Sequence, residues 1–214
     1  MARLLDLLAV HESYFFREKE QLTLVARTLL AEARAERPQA VLRVWSAGCA
    51  AGEEPYSLAI LMEESRLWQK GAFEILGTDL SASCLERARQ GVYTTGALRE
   101  TSNSRRSRWF EDWRHDVRLR EPVHRRVHFQ RLNLYQDAPC SWMGRFDVIL
   151  CRNVLLYMDV EARQRVVETL HERLQPGGWL VLGRSETLLN LSTALQAVER
   201  SGEMLYRRFP GGRS

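Results

Sequence analysis

The sequence predicts an α/β fold in which a mostly parallel sheet carries helices on both faces. Three observations carry that reading. Short apolar runs rich in β-branched residues recur as VLRVWSA, FEILGTD, FDVILC and WLVLG. Segments of helical periodicity separate them, and small-residue turns follow the strand ends. Strand, helix, strand, helix is the rhythm of parallel strands joined by crossover helices, each strand buried on both faces.

Taken in order, Arg3 to Val10 reads as a short helix with leucines on one face. The segment HESYFFRE follows. Gln21 to Arg37 then repeats Leu22, Val25, Leu29, Leu30 and Ala33 at helical spacing up to the break at Pro38. Val41 to Ala47 is a buried strand that runs into the turn GCAAGEEP and an amphipathic helix, YSLAILMEESRLW. The strand FEILGTD ends at Asp79, and Ser81 caps the helix ASCLERARQG. A polar, Arg-rich stretch over residues 92 to 126 interrupts the rhythm before the strand VHFQRLNL. Regular order resumes with FDVILC, the helix VEARQRVVETLHERL, a turn at Pro176, Gly177 and Gly178, and the strand WLVLG. Ala194 to Arg200 is expected as a helix and EMLYRRF as a closing strand.

Composition narrows the function classes. With 214 residues, the chain suits one globular domain or a domain with a small appendage. The organisation expected is a helical segment over 1–37 that carries HESYFFRE, then a larger domain over 38–214 with an insertion at about 95–128. Thirty-one basic against 27 acidic side chains leave +4, too mild for a chain built to coat nucleic acid. No apolar run reaches the roughly 20 residues that span a bilayer, so no membrane insertion is expected. Cys49, Cys84, Cys140 and Cys151 lack metal-ligand spacing and read as free thiols of a reducing cytosol.

The first candidate site is VWSAGCAAGEEPYS, a strand, turn and helix start. Gly48 and Gly52 permit close backbone approach, and the helix behind them presents unpaired N–H groups. Asp79 ends the next strand, where an acid in such sheets binds ribose hydroxyls. Two neighbouring strand ends thus address one nucleoside, belonging to NAD or to S-adenosylmethionine. Cys151, Arg152 and Asn153 bring polar groups to the same sheet edge. No GxSxG, P-loop or metal cluster accompanies them.

In sequence order, HESYFFRE, VWSAGCAAGEEPYSLAI, ILGTDLSASCLERARQGVY, HFQRLNL, FDVILCRNVLLYMD, LQPGGWLVLGRSETL and MLYRR resemble the CheR-type chemoreceptor glutamate methyltransferases. The resemblance runs from about His11 to Tyr206. It implies a class I S-adenosylmethionine-dependent methyltransferase fold, Rossmann-like, with a seven-stranded, mostly parallel sheet and a small antiparallel insertion. It implies methyl transfer from S-adenosylmethionine to glutamate side chains on cytoplasmic receptor helices, with S-adenosylhomocysteine as product and a cytoplasmic location. The resemblance places Asp79 on the ribose and Glu54, with Glu53 beside it, near the methionine or adenosine part. Asn133 and Leu134 would flank the adenine, and Cys151 and Arg152 would line the methionine end together with the Gly48 turn. The family's Asn-x-Thr-x-Phe-Phe-Arg stands here as His11 to Arg17, in which Ser13 keeps the hydroxyl and His11 replaces the Asn. Arg17, Arg152 and Tyr157 are the residues it assigns to catalysis, while Phe15 and Phe16 read as packing.

Two departures qualify the resemblance. Few residues precede HESYFFRE, which makes the chain a short form lacking most of the family's N-terminal helical domain. No glycine lies between Gly96 and Gly144, so the inserted antiparallel subdomain looks trimmed, an argument against tethering of a receptor's C-terminal peptide. The competing classes are a non-catalytic S-adenosylmethionine-binding scaffold and a methyltransferase acting on RNA or a small molecule. Residues 99 to 126 hold nine arginines against five acids, a surplus equal to that of the whole chain. The insertion is therefore the candidate surface for docking glutamate-rich helices.

Overall fold

The structure, a computed structural model, describes residues 13–136 and 143–209. Helix α1 (Lys19–Leu24) continues through a π-helical turn (Val25–Leu29) into α2 (Leu30–Glu36). Strand β1 (Leu42–Ala47), helix α3 (Glu53–Glu64), strand β2 (Phe73–Asp79) and helix α4 (Ala82–Gln90) follow. The insertion holds β3 (Val92–Tyr93), α5 (Asn103–Trp109), β4 (Phe110–Trp113), β5 (Asp116–Leu119) and α6 (Glu121–His124). Strands β6 (Val127–Arg131) and β7 (Phe146–Cys151), helix α7 (Val160–Arg173) and strands β8 (Leu174–Leu182), β9 (Gln196–Arg200) and β10 (Glu203–Arg207) complete the chain.

Seven strands form one sheet in the order β6-β2-β1-β7-β8-β10-β9. The pairs from β6 through β8 are parallel, and β10 runs antiparallel to both its neighbours. The order reverses between β1 and β7, which opens a crevice at their carboxyl ends. Alternate side chains serve two cores. Val44, Val148, Leu150 and Val181 pack with Phe15, Phe16, Leu22 and Leu29 of the N-terminal segment and with Leu58 and Leu61 of α3. Trp45, Ile149, Cys151 and Leu180 pack on Val166, Val167 and Leu170 of α7. Phe15 and Phe16 of HESYFFRE are thus part of the main core.

Two expectations change. Residues 196–200 form strand β9 and not a helix. Ser201 and Gly202, both with positive φ, make the two-residue turn into β10, and that hairpin chemistry outweighs the helix propensity of QAVER. Helix α3 is not amphipathic. Pro55 through Met62 are all buried, because α1, the sheet and α6 enclose it. The small antiparallel insertion that the resemblance implies is present as a three-stranded sheet, β3-β5-β4. The expected helix over Arg3 to Val10, His11 and Cys140 lie outside the described residues. No helix among the described residues is long and apolar enough to cross a membrane.

Candidate active site

The carboxyl end of β1 delivers the turn Gly48 to Gly52 into the crevice. Gly48 has φ +79°, and a Cβ added there would stand 2.5 Å from Val154 Cγ2, so two site loops touch only because this residue lacks a side chain. The amides of Gly48 and Cys49 donate to the Thr78 carbonyl at 2.8 and 2.9 Å. Asp79 ties the two strand ends together: one carboxylate oxygen accepts from Ala50 N at 2.8 Å, the other from Ser81 N at 2.9 Å. Ser81 caps α4 as expected, its hydroxyl accepting from Cys84 N. The crevice is lined by Ser13, Tyr14, Arg17, Gly48, Glu54 and Arg152, among others.

Arg152, at the end of β7, organises this crevice. Its side chain is 2% exposed and donates to Gln21 Oε1 at 2.9 Å, Glu54 Oε2 at 3.0 Å, Glu18 Oε2 at 3.0 Å and the Arg17 carbonyl at 2.8 Å. Four of the five guanidinium N–H groups are thereby engaged. The same Glu54 carboxylate accepts from the Ser46 hydroxyl at 2.7 Å, which joins β1, α3 and β7. Glu18 and Gln21 were not singled out from the sequence. Their placement depends on the left-handed Phe16 (φ 63°) and Glu18 (φ 50°), conformations that no periodicity reveals. With Ala50 and Asn153, these make four of the eight positive-φ non-glycine residues among those described. Such clustering of backbone strain marks a functional site.

The remaining expected residues divide. Ser13 lines the crevice and gives a hydrogen bond to Glu53. Burial pushes the Glu53 carboxyl above the ordinary glutamate range, and that hydrogen bond only partly offsets it. Its Oε2 is buried without a partner among the described residues. Phe15 and Phe16 are core side chains, Phe15 meeting the rings of Tyr93 and Phe110 edge-on at 4.8 and 4.9 Å. Asn133 Oδ1 accepts from Tyr135 N and Gln136 N beyond β6, and Leu134 is buried. Cys151 does not line the crevice. It is fully buried in the α7 core, while Cys49 takes the lining position. Burial, and then neighbouring acids, push both thiols well above the ordinary cysteine range. Tyr157 is 63% exposed on a short 3₁₀ turn, Leu155–Tyr157. Tyr14, missed from the sequence, lines the crevice, with the Arg99 guanidinium 3.6 Å from its ring centroid.

A nucleoside-bearing, zwitterionic cofactor fits these groups. Asp79 keeps lone pairs for ribose hydroxyls, Glu54 offers an acid toward an amino or sulfonium centre, and Arg17 a cation toward a carboxylate. The cradle between Gly48 and Val154 leaves room for backbone contact alone.

Comparison with known proteins gives the same answer. Residues 11–203 match the family described as CheR methyltransferase, SAM binding domain. The chain is 35% identical to chemotaxis protein methyltransferase 2 of Vibrio cholerae, an alignment covering 88% of this chain and 66% of that protein. It is 36% identical to chemotaxis protein methyltransferase 1 of Pseudomonas aeruginosa, covering 94% and 75%. Among solved structures, the N-methyltransferase NodS of Bradyrhizobium japonicum aligns over 90% of this chain and 97% of its own, at TM-score 0.50 and 20% identity. That likeness shows the fold, that of the class I methyltransferases. The chain belongs to the CheR methyltransferase family, and its cofactor is S-adenosylmethionine.

Proposed function

We propose that the protein transfers a methyl group from S-adenosylmethionine to glutamate side-chain carboxylates of chemoreceptors, in the cytoplasm, giving glutamyl methyl esters. One observation carries the assignment of roles: Arg152 joins the acid of the cofactor turn, Glu54, to the Arg17–Glu18 segment. Bound S-adenosylmethionine supplies a methyl group activated on a sulfonium. Asp79 holds the ribose hydroxyls, Asn133 and Leu134 flank the adenine, and Glu54 and Ser13 hold the methionine end, with Glu53 beside them.

The acceptor glutamate titrates near ~4.3 and is ionised at neutral pH, so no residue need remove a proton. The work left to the protein is alignment, which is worth several of the roughly 7–11 kcal/mol open to well-oriented reactants. Arg17 orients the incoming carboxylate from the crevice wall, and the exposed Tyr157 hydroxyl donates to one of its oxygens, leaving the other free. With four donors engaged by the protein, Arg152 serves chiefly as a positioning residue for Glu54 and the Arg17 backbone.

Incubation with methyl-labelled S-adenosylmethionine and a panel of receptor cytoplasmic fragments tests this reading. Base-labile label on the receptor fragment is expected, and Arg17→Ala and Tyr157→Phe should each lower turnover more than cofactor affinity. Base-stable label, or label on RNA or small molecules alone, would overturn it.

A further inference from the structure

Glu186 lies four residues beyond the β8 end in GRSETL, and its carboxylate collects five backbone N–H groups. Oε2 accepts from Asn153 N at 2.7 Å and Gly183 N at 2.8 Å. Oε1 accepts from Val154 N at 2.8 Å, Leu155 N at 2.7 Å and Leu156 N at 3.3 Å. Four of these donors are consecutive residues of the loop that joins Arg152 to Tyr157. That loop begins at the left-handed Asn153 (φ 60°) and turns through the 3₁₀ segment Leu155–Tyr157. No main-chain partner among the described residues could satisfy four successive amides on one side, and a single carboxylate with two acceptor oxygens does so. Gly183 permits the approach: a Cβ there would meet Asn153 Nδ2 at 2.8 Å and Glu186 Oε2 at 2.9 Å.

We propose that Glu186 is the positioning residue that moulds the Asn153–Leu156 backbone and thereby aims Tyr157 at the acceptor carboxylate. It touches neither cofactor nor acceptor. Its carboxylate fixes a strained loop whose first residue lines the cofactor crevice and which leads directly into the exposed Tyr157. The inference rests on the role given to Tyr157 above.

The test uses the full chain with Glu186→Gln, in which the amide nitrogen faces N–H donors it cannot accept from, together with Tyr157→Phe and the double variant. Hydrogen exchange of the amides of residues 153–156 should quicken tenfold or more in Glu186→Gln without cofactor or substrate, while the β1 and β7 amides stay protected. At saturating cofactor, kcat should fall at least tenfold in each single variant, and the double variant should fall no further than the worse single one. Multiplicative losses in the double variant, or unchanged exchange at 153–156, overturn the proposal. If Tyr157→Phe alone leaves kcat intact, the role of Tyr157 is wrong and this inference falls with it. Should Glu186→Gln prove poorly folded, Glu186→Asp replaces it. Restored charge at shorter reach should recover part of the exchange protection, and a loss as large as that of Glu186→Ala would overturn the proposal.

Discussion

Replacing Arg152 by methionine isolates the charge at the centre of the site. The methionine keeps much of the aliphatic stem but strands Glu18 and Glu54, whose side chains are 17% and 16% exposed. Four hydrogen bonds disappear, two of them to carboxylates. Breaking a buried pair by removing one partner costs about 3–5 kcal/mol, most of it from the charges left behind. At about 2–4 °C per kcal/mol for a chain of this size, the unfolding midpoint should fall by roughly 6–20 °C. Thermal and denaturant unfolding of the apo protein at neutral pH measure this directly. The triple variant Arg152→Met, Glu18→Gln, Glu54→Gln removes the stranded charges and should regain at least half of the loss. If Arg152→Met unfolds within about 1 kcal/mol of the parent, or the triple variant is as unstable as the single, the electrostatic account of the site fails.

Two further outcomes follow from local geometry. Gly48→Ala must place a Cβ at φ +79° and 2.5 Å from Val154 Cγ2; left-handed backbone alone costs about 1–2 kcal/mol, and the displaced loops should weaken cofactor binding tenfold or more by calorimetric titration, so unchanged affinity would dismiss the cradle. At Glu64, burial pushes the carboxyl up, but the Arg105 hydrogen bonds at 2.8 and 2.7 Å, the Arg105 charge, the Trp109 indole N–H and the Arg27 charge together outweigh it and hold the group below the ordinary glutamate range. A lowered folded value means stability present above the unfolded glutamate value and lost as pH falls through the folded one. Glu64→Gln should therefore flatten the acid limb of the stability profile, and an unaltered limb would show that this staple contributes nothing.

The sheet was legible because β1, β2, β7 and β8 each contain a short apolar run between turn signals, the pattern expected of parallel strands covered on both faces. Strand β9 was not legible: QAVER is a good helix former, and the Ser201–Gly202 hairpin that makes it a strand acts through its pairing with β10. At the site, Asp79 and Gly48 were readable as strand-end residues. Glu18, Gln21 and Glu186 were not, since each meets its partner across the fold, Gln21 and Arg152 being 131 residues apart. Glu186 did carry one usable signal: it is an acid four residues past a buried strand, much as Asp79 is the last residue of one. The exposure of Tyr157 follows from a 3₁₀ turn that local apolarity conceals.

The surplus of +4 that sequence arithmetic assigns to the insertion has a more specific meaning in the fold. Arg105 pairs with Glu64 and Arg126 with Glu63, at 2.7 and 2.9 Å, while Arg120 reaches Glu111 and the Phe110 carbonyl. Arg105 also lies 4.5 Å from the Phe16 ring centroid and Arg126 4.5 Å from that of Trp68. These arginines therefore anchor the insertion to the end of α3. The start of the same helix carries Glu53 and Glu54 into the cofactor crevice. At 12 residues, α3 spans about 18 Å, so one buried helix sets the distance between the crevice and the Arg105 and Arg126 anchors. Any substrate helix held by the insertion's other arginines would meet the site at a fixed offset, set by packing rather than by a flexible arm.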